Sequence, residues 1–146
     1  MSAPVSTLSI DANPLAVRDI GPWLRALLTA TTPTEAETLV ARLELAVHEV
    51  CMNVVDHAGL PPGAALGLRG AVTADRVRIE IHDDGSPFDP SGVPEPVPGV
   101  AQVRGYGLMI VRQLVDTVDY RRTEGHNTWV LELHRTPQTG AAATPP

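Results

Sequence analysis

The sequence predicts an α+β fold of two layers, a mixed but mostly antiparallel sheet covered on one face by about three helices. Three observations lead there. Short runs such as VSTLSID (5–11) and VRIEI (77–81) alternate apolar and polar residues, the period of a half-buried strand. In PTEAETLVARLELAVHEVCMNVVDHAG (33–59), Leu39, Leu43, Val47, Val50 and Val54 recur at spacings of four and three, the stripe of an amphipathic helix. The elements also follow one another as strand, helices, hairpin, helix, hairpin, and hairpins make antiparallel neighbours.

In chain order, VSTLSID is the first strand, and it reads as an edge. Asn13-Pro14 supplies a cap followed by proline at a first helical position. The helical pattern that follows is broken at Gly21-Pro22, where a helix should stop or restart. Thr32 or Thr34 can cap the long helix, and Gly59 ends it ahead of Pro61-Pro62. AALGLRGAVTADRVRIEIHDD forms a hairpin turning near Ala74-Asp75. The Pro/Gly-rich stretch 86–104 is too long for a plain connection, a length typical of lids and binding loops. YGLMIVRQLVDTVDY returns to helix, with Leu108, Val111, Leu114, Val115 and Val118 on one side. VDYRRT and NTWVLELH close the chain as a hairpin across Glu124-Gly125. Residues 1–135 thus form one domain, and TPQTGAAATPP to residue 146 is a mobile low-complexity tail.

Composition narrows the function. With 43% hydrophobic but only 3% aromatic residues, the core must be built from Val, Leu, Ile and Ala. A net charge of −6 argues against a nucleic-acid or anionic-membrane surface. No apolar run approaches the ~18 residues of a membrane span. The single cysteine excludes an internal disulfide, and no leader-like segment opens the chain, so a cytoplasmic protein is expected. All 11 Lys/Arg side chains are arginine, which leaves no P-loop lysine and no protein-kinase strand lysine. A nucleotide here would have its phosphates neutralised by Mg²⁺, backbone amides and arginine.

Three clusters carry chemistry. On the long helix, Glu49 and Asn53 stand one above the other, with Asp56 and His57 on the next turn. A carboxylate there can take a proton, and an amide oxygen is a hard ligand suited to Mg²⁺. A solvated helix face with a histidine at the favourable end of the helix dipole explains the same residues. DDGSPFDP (83–90) ends a strand, where Asp84-Gly85 alone reads as a hairpin turn. RGYGL (104–108) places glycines at a helix start, where backbone N–H groups bind anions.

Taken in order, E-x-x-x-N on a helix, D-x-G-x-x-F after a strand, and G-x-G-L before a helix resemble the Bergerat-fold (GHKL) ATPases, which include gyrase and the histidine kinases. Within them the chain is most similar to the small stand-alone anti-sigma-factor serine/threonine-protein kinases of bacterial partner-switching systems. HEVCMNVVDHA resembles their N box, IHDDGSPFDP their first glycine box, and GYGLMIVRQLVDTVDY with GHNTWVLEL their second box and closing strands. The likeness spans roughly residues 5–134.

The resemblance implies the Bergerat ATP-binding fold, ATP and Mg²⁺ as cofactors, and a role for each matching position. Glu49 would be the catalytic base, and Asn53 would coordinate the Mg²⁺. Asp84 would accept the adenine amine, with Gly85 allowing the purine to approach. Gly105, Tyr106, Gly107 and Leu108 would turn backbone N–H groups to the phosphates, and residues 89–104 would form a lid. Thr128 would support the adenine-binding aspartate. Arg104 stands where many relatives have glycine and becomes a phosphate partner, while His57 lies near the phosphates or the helix end. His48 reads as a packing or surface residue and Cys51 as a small core residue.

The implied activity is transfer of the ATP γ-phosphoryl group to a STAS-domain anti-anti-sigma protein, combined with anti-sigma binding. A nucleotide-sensing binding module without kinase activity, or a simple ATPase, remains the alternative. A sigma factor is a further partner under the anti-sigma reading, and a homodimer is expected. Direct nucleic-acid or membrane binding is not.

Overall fold

The computed structural model describes residues 5–29, 31–88 and 107–135. Five strands, β1 (Val5–Asp11), β2 (Ala65–Val72), β3 (Arg76–Asp83), β4 (Thr117–Thr123) and β5 (His126–His134), form one sheet in the order β1-β2-β3-β5-β4. Every pairing among the described strands is antiparallel, so the expected parallel component is absent from them. The reason is topological. Strand β4 runs parallel to β3, but β5 lies between them and pairs antiparallel with both.

Three helices carry the apolar layer: α1 (Ile20–Leu27), α2 (Pro33–His57) and α3 (Gly107–Leu114), with a short 3-10 turn at Ala16–Asp19. Asn13 Oδ1 accepts the Ala16 N–H at 2.8 Å and starts that turn. Gly21 and Pro22 fall inside the first turn of α1, where a missing N–H costs no helical bond, so they restart the helix instead of ending it. Thr32 caps α2, its hydroxyl accepting the Glu35 N–H at 3.3 Å with Pro33 next in line. At the other end, Gly59 takes a φ of +62°, the left-handed geometry that stops a helix. Helix α3 is shorter than the apolar pattern suggests. It ends at Leu114, and Val118 belongs to β4, where strand pairing with Leu131 replaces the helical position.

The core lies between helices and sheet. Leu66, Leu68, Val77, Ile79, Ile81 and Leu131 from the strands meet Leu24, Leu28, Leu43 and Val47 from the helical layer, all essentially inaccessible to solvent. The opposite sheet face is polar. Arg69 and Arg78 pair with Glu80, and Arg76 and Arg78 pair with Glu132, at 3.2–3.8 Å. Such half-exposed pairs contribute little stability each and mainly keep that face wet. Arg135 Nε, bonded to Glu35 Oε1 at 2.6 Å, ties the end of the sheet to the first turn of α2. Among the described residues, no helix is long and apolar enough to cross a membrane.

Candidate functional site

Strand alternation decides which carboxylate the site contains. Val77, Ile79 and Ile81 point into the core, and the next inward position on β3 is Asp83, which is only 3% exposed. Its Oδ1 accepts the Gly85 N–H at 2.8 Å and the Asn127 amide N–H at 2.9 Å. Among the described residues, its Oδ2 is the one buried side-chain oxygen or nitrogen without a hydrogen-bond partner. Asp84 points the other way, its side chain 84% exposed and 2.8 Å from His126 Nδ1. The inward carboxylate is therefore Asp83, a correction to the expectation placed on Asp84.

Asn127, 2% exposed on β5, organises this corner and carries no motif that singles it out in the sequence. Its Nδ2 donates to Asp83 Oδ1, to Ser86 O at 3.0 Å and, more weakly, to Gly85 O at 3.2 Å. Its Oδ1 accepts the Tyr120 hydroxyl at 2.5 Å and Arg122 Nη1 at 2.9 Å. Thr128, the residue expected to support the aspartate, alternates onto the opposite sheet face, with Oγ1 3.2 Å from His82 Nδ1. The support comes instead from Asn127, one position earlier and directly paired with Asp83 across β3 and β5.

Gly85 is required by contact. A Cβ there would lie 2.5 Å from both the Cβ and the carbonyl oxygen of Ala58, at the end of α2. The Ser86 N–H bonds that same carbonyl at 2.7 Å, so the turn is pressed onto the helix end. Gly85→Ala must separate the two and is expected to cost about 1–3 kcal/mol of stability, the usual range for overpacking. Chemical denaturation of the variant beside Gly67→Ala checks this. At Gly67, a strand position, an added Cβ would meet only the His82 Cβ at an ordinary 3.8 Å, so a comparable loss in both would remove the contact explanation.

The polar column of α2 lies alongside. Glu49 and Asn53 are partly buried, whereas Asp56 and His57 are exposed near the helix end. Helix α3 packs against α2 and begins at Gly107, where an added Cβ would sit 3.0 Å from Glu49 Oε2. Glycine thus lets the α3 N-terminus come up against the Glu49 carboxylate. Leu108 turns to the core beside buried Val111. Cys51, between Glu49 and Asn53 in sequence but facing inward, has its thiol pushed up to about 12 by burial and by the nearby Asp83 charge. It is a neutral packing group, unsuited to nucleophilic chemistry. Arg104, Gly105, Tyr106 and the lid expected over 89–104 lie outside the described residues.

The residues fit a purine nucleotide and its metal. A buried, partnerless acceptor oxygen is matched by an exocyclic amine, which is a donor. Among the described residues, no three His, Cys, Asp or Glu side chains are grouped to hold a metal. Mg²⁺ does not require such a group, because it keeps waters and takes one or two protein ligands, for which Asn53 is available.

The chain is similar to several known proteins. The pattern of the histidine kinase-like ATPase domain matches residues 10–132. Serine/threonine-protein kinase BtrW of Bordetella bronchiseptica is 28% identical over 144 residues, covering 95% of this chain and all of BtrW. Serine-protein kinase RsbW of Halalkalibacterium halodurans is 33% identical over 91 residues, 57% of this chain and 56% of that protein. The solved RsbU and RsbW domains of Rv1364c from Mycobacterium tuberculosis share the fold at a TM-score of 0.63 and 20% identity, over 92% of this chain and 33% of that one. With the match running from the end of β1 through β5, the chain belongs to the histidine kinase-like ATPase domain family.

Proposed function

We propose that the chain is an ATP-dependent serine/threonine-protein kinase and anti-sigma factor that phosphorylates a STAS-domain antagonist. The observation that carries the nucleotide part is the unpartnered, buried Asp83 Oδ2, on the strand that packs against α2. The kinase part is supported by Glu49 at the start of α3 and by the end-to-end likeness to BtrW. A sigma factor as second partner, and a homodimer, belong to the same reading, as the resemblance to the partner-switching kinases implies.

In this reading, Asp83 takes the adenine-accepting role expected of Asp84, and Asn127 the supporting role expected of Thr128. Gly85 lets the turn that follows Asp83 close onto the end of α2. Asn53 would hold Mg²⁺ through its amide oxygen, and Gly107 and Leu108 would present backbone N–H groups to the phosphates. Bound MgATP supplies the phosphoryl group and neutralises its charge. Glu49 accepts the proton of the incoming serine or threonine hydroxyl as that oxygen becomes the nucleophile. His57 is exposed at the end of the same helix, next to Ala58, on which the Gly85–Ser86 turn rests.

Titration of ATP with and without Mg²⁺ tests the metal assignment. The wild-type chain is expected to bind more tightly with Mg²⁺. Asn53→Ala should lose that increment, about tenfold or more, while its metal-free affinity and melting stay near wild type. An undiminished Mg²⁺ effect in the variant would remove Asn53 as the ligand.

A further inference from the structure

On the outer face of the sheet, away from Asp83 and the helices, two imidazoles meet in an arrangement that the nucleotide site does not use. His82 on β3 and His126 at the start of β5 approach through His82 Nδ1 and His126 Nε2, 2.9 Å apart, with ring planes 26° from parallel. The other nitrogen of each ring is taken by a carboxylate. His82 Nε2 lies 3.1 Å from Glu80 Oε1, and His126 Nδ1 lies 2.8 Å from Asp84 Oδ1. Glu80 uses its second oxygen for Arg78 and Arg69, at 3.3 and 3.6 Å. Carboxylate oxygens accept, so each neutral ring spends its single N–H on its carboxylate. The two inner nitrogens then face each other as lone pairs, a repulsive contact that a cation between them relieves. The Thr128 hydroxyl, 3.2 Å from His82 Nδ1, has one proton and does not separate them.

We propose that His82 Nδ1 and His126 Nε2 are the protein ligands of a divalent transition-metal site of the Zn²⁺ class, separate from the Mg²⁺ position assigned to Asn53. Imidazole nitrogen suits Zn²⁺, Cu²⁺ and Ni²⁺, whereas Mg²⁺ takes oxygen. A carboxylate on the far nitrogen is the usual support of a metal-bound histidine, fixing its tautomer and making the ligating nitrogen more basic. Both rings have that support here, from Glu80 and from Asp84. Two Zn–N bonds of about 2.0–2.1 Å at a tetrahedral angle place the nitrogens about 3.3 Å apart, so the pair opens by only a few tenths of an ångström. The side chains have room for this, being 31% and 42% exposed. Opposite His82 on β2 stands Gly67, which puts no side chain over that flank. Among the described residues, no three His, Cys, Asp or Glu side chains group around one ion, so water fills the remaining positions. The ion clasps β3 to β5 and stabilises the folded chain, which alone brings the two nitrogens together.

The test is calorimetric titration of the full chain with Zn²⁺ in the absence of nucleotide, with melting recorded for each sample. The wild type should take up one ion per chain at this site and melt at a higher temperature with Zn²⁺ than without it. His82→Gln and His126→Gln should each weaken that binding by tenfold or more and abolish the shift in melting. Asp84→Ala, which leaves both ligands in place, should weaken it by about tenfold, the usual effect of removing such a support. His134→Gln, at the far end of β5, should leave it unchanged. Binding that survives in both His82→Gln and His126→Gln places the ion elsewhere and refutes the site. A wild type that takes up no Zn²⁺ leaves the pair bridged by a proton only and refutes it equally. If one histidine variant does not fold, the other and Asp84→Ala decide. None of these outcomes bears on the nucleotide reading, which the Asn53 and Asp83 variants test separately.

Discussion

Asp83→Asn is expected to weaken ADP binding by about 100-fold or more and to invert the base preference, while Asp84→Asn stays within about twofold of wild type. Two N–H donors, of Gly85 and Asn127, are already directed at Oδ1. An asparagine at 83 must turn its oxygen to them, which leaves its NH₂ group where Oδ2 now stands. A donor then faces the adenine amine, itself a donor. The variant loses a hydrogen bond to a charged group, about 1.5–3 kcal/mol, and buries unsatisfied N–H groups at about 1–3 kcal/mol more. At 1.4 kcal/mol per factor of ten, that is roughly two to four decades. The same NH₂ group suits a 6-oxo purine, so IDP should bind this variant better than ADP does. Asp84 is solvated beside His126 and has no such leverage. Calorimetric titration of both nucleotides into both variants reads all four numbers, and an Asp84 variant that behaves as described for Asp83 would reverse the assignment.

That distinction was legible in the chain, in the motif itself as well as in the strand. D-x-G places an aspartate two residues before Gly85, and the alternation Val77, Ile79, Ile81 continues inward to position 83, so two independent patterns point to Asp83. The helical stripe of α2, its Thr32 cap and its Gly59 stop were equally readable, because each depends on local geometry that a few neighbouring residues determine. Asn127 was not readable. Its importance comes from five partners on β3, on β4 and in the turn after β3, brought together only by the pairing of β5 with both strands. Thr128 misled for the related reason that one step along a strand exchanges the two faces. The length of α3 was overread because Val115 and Val118 continue an apolar spacing that a half-buried edge strand also satisfies.

Glu49→Gln is the second large effect, and it concerns chemistry instead of binding. The substitution keeps the size of a side chain that lies against Gly107 and removes its basicity. A base acts in the transition state, so its loss should slow phosphoryl transfer by roughly 10²–10⁴-fold and leave nucleotide affinity nearly unchanged. A fall in affinity matching the fall in rate would mean that Glu49 holds the pocket together. An unchanged rate would move the base to another group, with Asp56, one turn beyond Asn53, the next carboxylate on the helix.

Label transfer from γ-³²P-ATP to purified STAS-domain proteins of the same organism measures the kinase claim directly. The wild type should place acid-stable label on a serine or threonine of one of them, and Glu49→Gln, at equal nucleotide occupancy, should be slower by at least about 100-fold. A wild type saturated with MgATP that labels none of them would contradict the kinase assignment and leave a nucleotide-binding module in its place.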